Sequence, residues 1–191
     1  MVRSEGLRLF AGFLGSASFL AEVGERLLAR QLAKVSDEEL GLTLAHVKLL
    51  TMVRWSGCET VSDLALFLGV TPAAASKSVD RLVQRGLLRR STSLDDRRAH
   101  LLALTDAGGR LLEAYDEAVG RALQGLFGVF VTPELVAAQE VLDRIAVAIA
   151  EGQGPVEGPC SACALYRRDP CGVRVALERR CFFEERKGGA P

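Results

Sequence analysis

The sequence has no excess charge of either sign, because 24 lysines and arginines balance 24 aspartates and glutamates over 191 residues. A strongly basic chain, the simplest sign of nucleic-acid binding, is therefore excluded. The sequence also shows no internal repeat, no Ser/His/Asp arrangement and no pair of catalytic carboxylates. These absences predict a protein that is not an enzyme. With 49% hydrophobic and 25% charged residues, the composition is typical of a mostly helical globular protein.

A long uncharged segment is also missing. The most apolar stretch, residues 7–21, follows Arg3, as in a secretory signal peptide, but Glu5 precedes the stretch and Arg8 interrupts it, which disfavours a signal peptide. Its apolar residues recur every three or four positions and continue beyond Glu22, so we expect one long helix over residues 3–34. No segment is long and uncharged enough to cross a bilayer. The sequence therefore predicts a cytoplasmic protein that does not bind membranes.

Two short helices separated by a tight turn are predicted between residues 61 and 85. The first covers residues 61–68 and stops at Gly69. Thr71 and Pro72 begin the second, because threonine caps helices well and proline suits the first helical position. Gly86 should end this helix, since glycine readily adopts the left-handed conformation found just after helices.

Positive charge is concentrated in the second of these helices and in the segment that follows it. Two short strands are predicted at about residues 87–92 and 99–104, around a polar loop. Residues 71–98 contain seven basic and three acidic residues, a local surplus of four positive charges. Such a patch attracts DNA phosphates even on a neutral chain, because screening limits electrostatic attraction to about 8–10 Å.

The second helix has two different faces. Ala75, Val79, Leu82 and Val83 share one side and should pack inward. The other side is small, polar and basic, which suits the major groove of DNA, about 12 Å wide. Such a side is equally typical of a solvated helix, but the preceding turn and the following hairpin favour DNA binding. The residues expected to contact DNA are Thr71, Ala73, Ser76, Lys77, Arg81 and Gln84 on the helix and Arg90, Arg97 and Arg98 on the hairpin.

Several short motifs follow one another in this part of the chain: Val79-Asp80-Arg81-Leu82, Gly86-Leu87-Leu88, Arg90, Asp96-Arg97-Arg98, and Leu102-Ala103-Leu104-Thr105 with Gly108. Together they resemble the MarR family of winged helix-turn-helix regulators, and with the flanking helices the resemblance covers about residues 1–150. It implies a mostly α-helical fold with a small β wing, and a homodimer whose N- and C-terminal helices interlock. Each subunit would bind half of a near-palindromic operator in double-stranded DNA. We therefore expect a transcriptional regulator, predicted to be a repressor.

The tip of the predicted wing is less favourable for DNA binding. Leu94 and Asp95 lie just before Asp96, and an apolar and an acidic residue do not attract phosphate. This argues against deep insertion into the minor groove, so Arg97 and Arg98 must provide the contacts of the wing. Alternatively, these arginines pair with the neighbouring aspartates, which would stabilise the fold by about 0–1 kcal/mol.

Four of the five cysteines, Cys160, Cys163, Cys171 and Cys181, lie near the C-terminus. In a cytoplasmic chain four thiols indicate a metal site before disulfides. We therefore divide the chain into a MarR-like domain over residues 1–151 and a cysteine-rich metal-binding tail over residues 152–191. An iron–sulfur cluster of the 4Fe–4S type is favoured, because it accepts ligands that arrive singly. Zinc, which needs a compact tetrahedron, is the alternative.

The segment between the last two tail cysteines affects this choice. Residues 172–180 look helical, and an unbroken helix would separate Cys171 from Cys181 by about 15 Å. That distance is too large for one zinc ion, and it is awkward for a cluster unless the helix ends early, folds back, or both cysteine side chains lean inward. The fifth cysteine, Cys58, is isolated between two helices, and we expect a small buried residue there rather than a reactive sensor.

Three functions remain open at this level. The first is a repressor whose DNA affinity responds to a cysteine-bound iron–sulfur cluster that senses redox state or oxygen. The second is the same repressor with a small organic effector and a structural zinc in the tail. The third is a thiol or electron-transfer protein that uses Cys160 and Cys163, although the βαβ context typical of a redox CxxC motif is missing.

Overall fold

The computed structural model describes residues 2–56, 60–92, 100–153 and 171–178. This part of the chain is mostly helical and contains one two-stranded antiparallel sheet, so the predicted fold class is confirmed. The elements in chain order are α1 (Val2–Val35), a 3-10 helix (Glu38–Leu40), α2 (Leu44–Ser56), α3 (Val61–Leu68), α4 (Pro72–Gln84), β1 (Leu88–Thr92), β2 (His100–Leu104), α5 (Asp106–Phe127), α6 (Thr132–Gln153) and α7 (Gly172–Ala176).

Helix α2 passes through the centre of the core and contacts α1, α3, α5 and β2. The helical pattern of residues 42–54 predicts that Ala45, Leu49, Met52 and Val53 face inward, and the last three of them are buried. The same prediction is wrong for Ala45, which is exposed. Ala45 lies in the first turn of α2, one turn before Leu49, so the elements that cover this side of the helix do not extend to its start.

Gly69 and Thr71 set boundaries of α3 and α4 as predicted, and a capping box that was not predicted sets the start of α3. The hydroxyl of Thr60 accepts a hydrogen bond from the Asp63 backbone N–H, and the Asp63 side chain accepts one in return from the Thr60 backbone N–H. Gly69 then ends α3 with a φ of 64°. At α4, the Thr71 hydroxyl accepts a hydrogen bond from the Ala74 backbone N–H at 3.2 Å. These bonds satisfy N–H groups that have no partner within a helix.

The start of α5 is held closely against the turn between α4 and β1. The Thr105 backbone N–H donates to the Leu87 carbonyl oxygen at 3.2 Å, and the Thr105 hydroxyl donates to the Gly86 carbonyl oxygen. Gly86 has a φ of 69°, which favours glycine. A Cβ atom on Gly108 would lie 2.2 Å from the Leu87 carbonyl oxygen. Glycine is therefore required at position 108 by close backbone packing.

The long helices leave large apolar side chains exposed in three places. A monomer seldom exposes so much apolar surface on neighbouring elements, and extended apolar patches mark interaction sites. The exposed residues are Leu7, Leu9, Phe10, Leu14, Phe19 and Leu20 in α1, Leu126, Phe127, Val129, Phe130 and Val131 around the α5–α6 junction, and Leu135, Val136, Val141, Leu142 and Ile149 in α6.

Helix α1 departs from one prediction. By length and mean hydropathy, Glu5–Val35 is apolar enough to cross a membrane, whereas we expected no such segment. Its uncharged stretch, residues 9–21, is only about 20 Å long at about 1.5 Å per residue, against a hydrocarbon thickness of about 30 Å. The second half of α1 packs against α5 and buries Leu32 in the core. These features are typical of a helix in a globular domain.

The contact at Gly108 predicts a clear difference between two adjacent glycines. Gly108→Ala should lower the free energy of unfolding by about 1–3 kcal/mol, because the added methyl group overlaps backbone atoms that cannot move easily. Gly109→Ala is the matched control, since a Cβ at that position meets nothing within 4 Å. It should be neutral or stabilising by up to about 1 kcal/mol, as expected for alanine in a helix. Urea unfolding measures both, and equal effects would contradict this account of Gly108.

Candidate nucleic-acid interface

The outer side of α4 presents a row of small, polar and basic side chains to solvent. Ala73, Lys77, Arg81 and Gln84 are exposed, and Ser76 is half-buried between them and the core side. Thr71 is also exposed, but its hydroxyl already caps the helix. The structure therefore brings together all six residues that were predicted on this helix.

The inner side of α4 fixes the helix to the domain. Ala75, Val79 and Leu82 are fully buried, and Val83 is partly buried against the same core. Helix α3 packs beside α4 across the turn at Gly69. The outer side is therefore carried by a helix whose position is set by packing, which is the arrangement expected of a helix that enters a groove as a rigid unit.

An ion pair connects α4 to the wing. The Arg90 Nη2 atom on β1 lies 2.6 Å from the Asp80 Oδ1 atom on α4, and both side chains are about half exposed. An exposed pair of this kind contributes only about 0–1 kcal/mol to stability. The pair joins a side chain of α4 to one of β1, the first strand of the wing. The contact between Arg90 and DNA stays a prediction. What the structure shows for Arg90 is the ion pair with Asp80.

The described wing residues include one basic side chain that was not among the expected DNA contacts. Arg89 is exposed on β1, next to Arg90. Successive side chains of a strand point to opposite faces, so Arg89 presents its charge on the other side of the hairpin. The surplus of basic residues in this region of the sequence could have identified Arg89 as a candidate DNA contact. Arg97 and Arg98 lie outside the described residues, as does the acidic tip before them.

His46 is buried in the first turn of α2. Its Nδ1 atom accepts a hydrogen bond from the Thr43 backbone N–H at 3.1 Å, which caps the start of α2. Burial lowers the pKa of His46 below its ordinary value, and the positive charges of Arg85 and Arg81 lower it further. The neutral ring is therefore the form that fits the fold. From its place on the helix before the turn, His46 is predicted to be packed or solvated rather than functional, and the structure shows it packed.

The structure describes one of the predicted metal ligands. Cys171 is half-buried, carries a free thiol and lies directly before α7. Cys160, Cys163 and Cys181 lie outside the described residues, and so does Cys58. Within residues 2–56, 60–92, 100–153 and 171–178, no group of three or more histidine, cysteine, aspartate or glutamate side chains is arranged to hold a metal ion.

Helix α7 is shorter than the sequence indicated. A helix was expected over residues 172–180, but α7 ends at Ala176, and Glu178 adopts a left-handed φ of 48°. Residues other than glycine seldom take this conformation, and it cannot continue a right-handed helix. The straight helix that would have held Cys171 about 15 Å from Cys181 is therefore absent from this described segment.

Known proteins show similarity to the region that contains α4 and the wing. The MarR family model matches residues 42–100. The multiple antibiotic resistance protein MarR of Escherichia coli K12 is 32% identical over 103 residues, which are 54% of this chain and 72% of that protein. The transcriptional repressor MdtR of Bacillus subtilis is 37% identical over 73 residues, 38% of this chain and 47% of that protein.

Solved structures show the same similarity in three dimensions. A cysteine-to-serine mutant of E. coli MarR, crystallised with operator DNA, superposes with a TM-score of 0.56 and 28% identity, over 69% of this chain and 92% of that one. The YusO protein of B. subtilis superposes with a TM-score of 0.57 over 73% of this chain and 95% of that one. Its 24% identity supports a shared fold.

The buried position of His46 predicts a pH dependence of stability. The pKa of His46 is lower in the folded protein than the value of about 6.5 in the unfolded chain. Between these two pKa values the unfolded state therefore binds more protons than the folded state. The free energy of unfolding should therefore be fully maintained above about pH 6.5 and should fall as the pH drops below it. His46→Gln keeps an acceptor for the Thr43 N–H but does not titrate, so it should reduce this fall.

His100→Gln is the matched control, because it removes the only other histidine of the chain. Urea unfolding at about pH 7 and about pH 5 gives the change in stability for each protein. If the wild type and His46→Gln lose the same stability on acidification, His46 does not cause the effect.

Proposed function

The chain belongs to the MarR family of transcriptional regulators, and we propose that it is a homodimeric repressor that binds double-stranded DNA through α4. The observation that carries this proposal is the geometry of α4. Its apolar side is buried, its outer side presents Ser76, Lys77, Arg81 and Gln84, and an ion pair to β1 places the wing beside it. A helix and a flanking hairpin in this arrangement fit the major groove and the adjacent DNA backbone.

The exposed apolar residues of α1, the α5–α6 junction and α6 support the dimer. We assign this surface to a second copy of the chain, because these residues belong to the first and the last helices of residues 1–151. The N- and C-terminal helices are the elements that would interlock in such a dimer. In a two-fold dimer the two α4 helices would lie about one DNA turn apart, about 34–36 Å. A near-palindromic operator is the DNA sequence that such a dimer recognises.

The residues on α4 are proposed to have different roles. Lys77 carries a compact charge that suits a phosphate, whereas Ser76 and Gln84 can form hydrogen bonds with base edges. Arg81 and the arginines of the wing, Arg97 and Arg98, add positive charge along the backbone. Phosphate contacts determine affinity and its salt dependence, and base contacts determine which sequence is preferred.

The role of Lys77 can be tested by salt dependence. Lys77→Ala should weaken binding to all duplexes and reduce the steepness of log K against log salt by about 1.8, which is about 0.9 for one phosphate in each of the two subunits. Arg26→Ala removes a charge from an i,i+4 ion pair on α1 and is the matched control. The probe is a duplex selected from random-sequence DNA by the wild-type protein, and binding is followed by fluorescence anisotropy. An unchanged slope for Lys77→Ala would show that α4 does not face the phosphates as proposed.

The second part of the proposal concerns the tail. Cys160, Cys163, Cys171 and Cys181 would hold an iron–sulfur cluster, with zinc as the alternative metal. Support comes from the early end of α7, which removes the straight helix between the last two cysteines, and from the half-buried free thiol of Cys171. A cluster of this kind supplies a redox-sensitive group, and its loss or oxidation would change DNA affinity.

Purification without oxygen tests the identity of the metal. A brown protein with four iron and four sulfide per chain is expected for the cluster, and colourless protein with one zinc supports the alternative. Cys171→Ser should lower the metal content, whereas Cys58→Ser, a cysteine outside the tail, should retain it. DNA affinity of metal-loaded and stripped protein is then compared at one salt concentration. Equal affinities would contradict control by the metal.

A small organic effector is the second candidate signal, and one observation favours it. A cavity of about 210 Å³ lies between the end of α1, the 3-10 helix and the start of α2, which is the central helix of the core. Its lining includes Leu32, Leu42 and Leu44. If DNA affinity is independent of metal but changes with small aromatic compounds, this candidate replaces the redox function.

A further inference from the structure

The turn before α4 and the first turn of α4 carry no charge. Residues 64–76 contain no aspartate, glutamate, lysine or arginine. Val70, in the turn between α3 and α4, is 43% exposed, and Pro72, Ala73 and Ala74 are exposed at the start of the helix. The Val70 backbone N–H donates to a carbonyl oxygen of α3 at 3.1 Å, which holds the turn against that helix. The start of α4 therefore presents apolar side chains to solvent.

The hydrogen-bonding groups at this end of α4 are mostly used within the chain. The Thr71 hydroxyl accepts a hydrogen bond from the Ala74 backbone N–H at 3.2 Å, and the Thr71 carbonyl oxygen accepts one from the Ala75 backbone N–H at 3.0 Å. Pro72 has no backbone N–H, so among residues 72–75 at most the Ala73 N–H is left for an outside acceptor. The side chains of these four residues offer no hydrogen-bonding group. Recognition of DNA by this end of the helix therefore depends on apolar contact.

Ala73 lies on the side of α4 that we assign to DNA. Lys77 and Arg81 follow it at intervals of four residues, so these three exposed side chains form one row on the helix. In helix-turn-helix proteins the N-terminal residues of the recognition helix contact base edges. Lys77 lies about 6 Å farther along the helix axis than Ala73, which is more than the spacing of about 3.4 Å between base pairs. The apolar start of α4 and its polar part therefore meet different base pairs.

The major-groove edges of the four bases differ in one apolar feature. Guanine, adenine and cytosine present hydrogen-bond donors and acceptors there, whereas thymine presents one acceptor and a methyl group. An apolar side chain against a donor or acceptor removes that group from water without a new hydrogen bond, which is unfavourable. The same side chain against a methyl group buries apolar area, which is favourable. The start of α4 is therefore complementary to thymine.

We propose that Val70 and Ala73 determine part of the DNA specificity by contacting thymine methyl groups, so that each operator half-site contains thymine where α4 begins. This inference rests on the proposed function, in which α4 enters the major groove. It adds the identity of a base to that function. The hydrogen bonds of Ser76 and Gln84 would then read other base pairs of the same half-site.

Replacement of thymine by uracil in the DNA tests the contact directly, because uracil lacks the methyl group and keeps the same hydrogen-bonding edge. The probe is the duplex selected from random-sequence DNA by the wild-type protein, with deoxyuridine introduced at one thymidine position at a time in both half-sites. Affinities are measured by fluorescence anisotropy at one salt concentration. At a contacted position, loss of one buried methyl group in each half-site should weaken binding about 15-fold, which is about 4-fold per methyl group.

Variants of the protein then identify the residues responsible. Val70→Ala removes two methyl groups in the turn, outside the helix, and Ala73→Gly removes the one methyl group at that position. Each variant should move the ratio of affinities for the thymine and uracil duplexes toward one at the position that its residue contacts, because the contact has already lost one partner. Val175→Ala is the matched control, since it removes the same two methyl groups from an exposed valine of α7. This control should keep the wild-type ratio.

Equal affinity for the thymine and uracil duplexes at every position would overturn the inference. A uracil effect that persists unchanged in both Val70→Ala and Ala73→Gly would also overturn it, because another part of the protein would then contact the methyl group. Either result, obtained together with the expected salt dependence of Lys77→Ala, would contradict the inference alone. Failure of the wild-type protein to select any duplex would overturn the proposed function itself.

Discussion

The close approach of Gly108 to the Leu87 carbonyl oxygen determines how the rest of the domain is arranged. A side chain at position 108 would overlap this oxygen, so α5 can begin only because glycine is there. Thr105 reinforces the contact with hydrogen bonds to Gly86 and Leu87. The end of α4 and the start of α5 therefore form one rigid joint. Because α5 leads to the exposed apolar junction with α6, this joint connects that junction directly with the end of α4.

Packing behind α4 also fixes the position of the helix relative to the rest of the core. Helix α2 is buried along most of its length and contacts α1, α3, α5 and β2, so it connects the terminal helices with the DNA-binding elements. The ion pair between Asp80 and Arg90 adds a contact between α4 and β1. Individually these interactions are weak or ordinary. Their combined effect is that the outer side of α4 is presented in one orientation, which base recognition in the major groove requires.

Helix α6 occupies a special position in this arrangement. It carries exposed apolar side chains that we assign to the partner subunit, and α7 packs against the same helix. The described part of the tail therefore lies against a helix that we assign to dimerisation.

The sequence by itself determined the helices and turns whose boundaries depend on local chemistry. Thr71 with Pro72, Gly69 and Gly86 set their boundaries through capping and left-handed glycine, and these interactions span only a few residues. The two faces of α4 were also predictable, because helical periodicity is local. Only the tertiary structure decided that Ala45 is exposed, that Asp80 pairs with Arg90, and that α7 ends at Ala176 against α6. These features depend on which distant segments meet, and no local pattern in the sequence specifies such contacts.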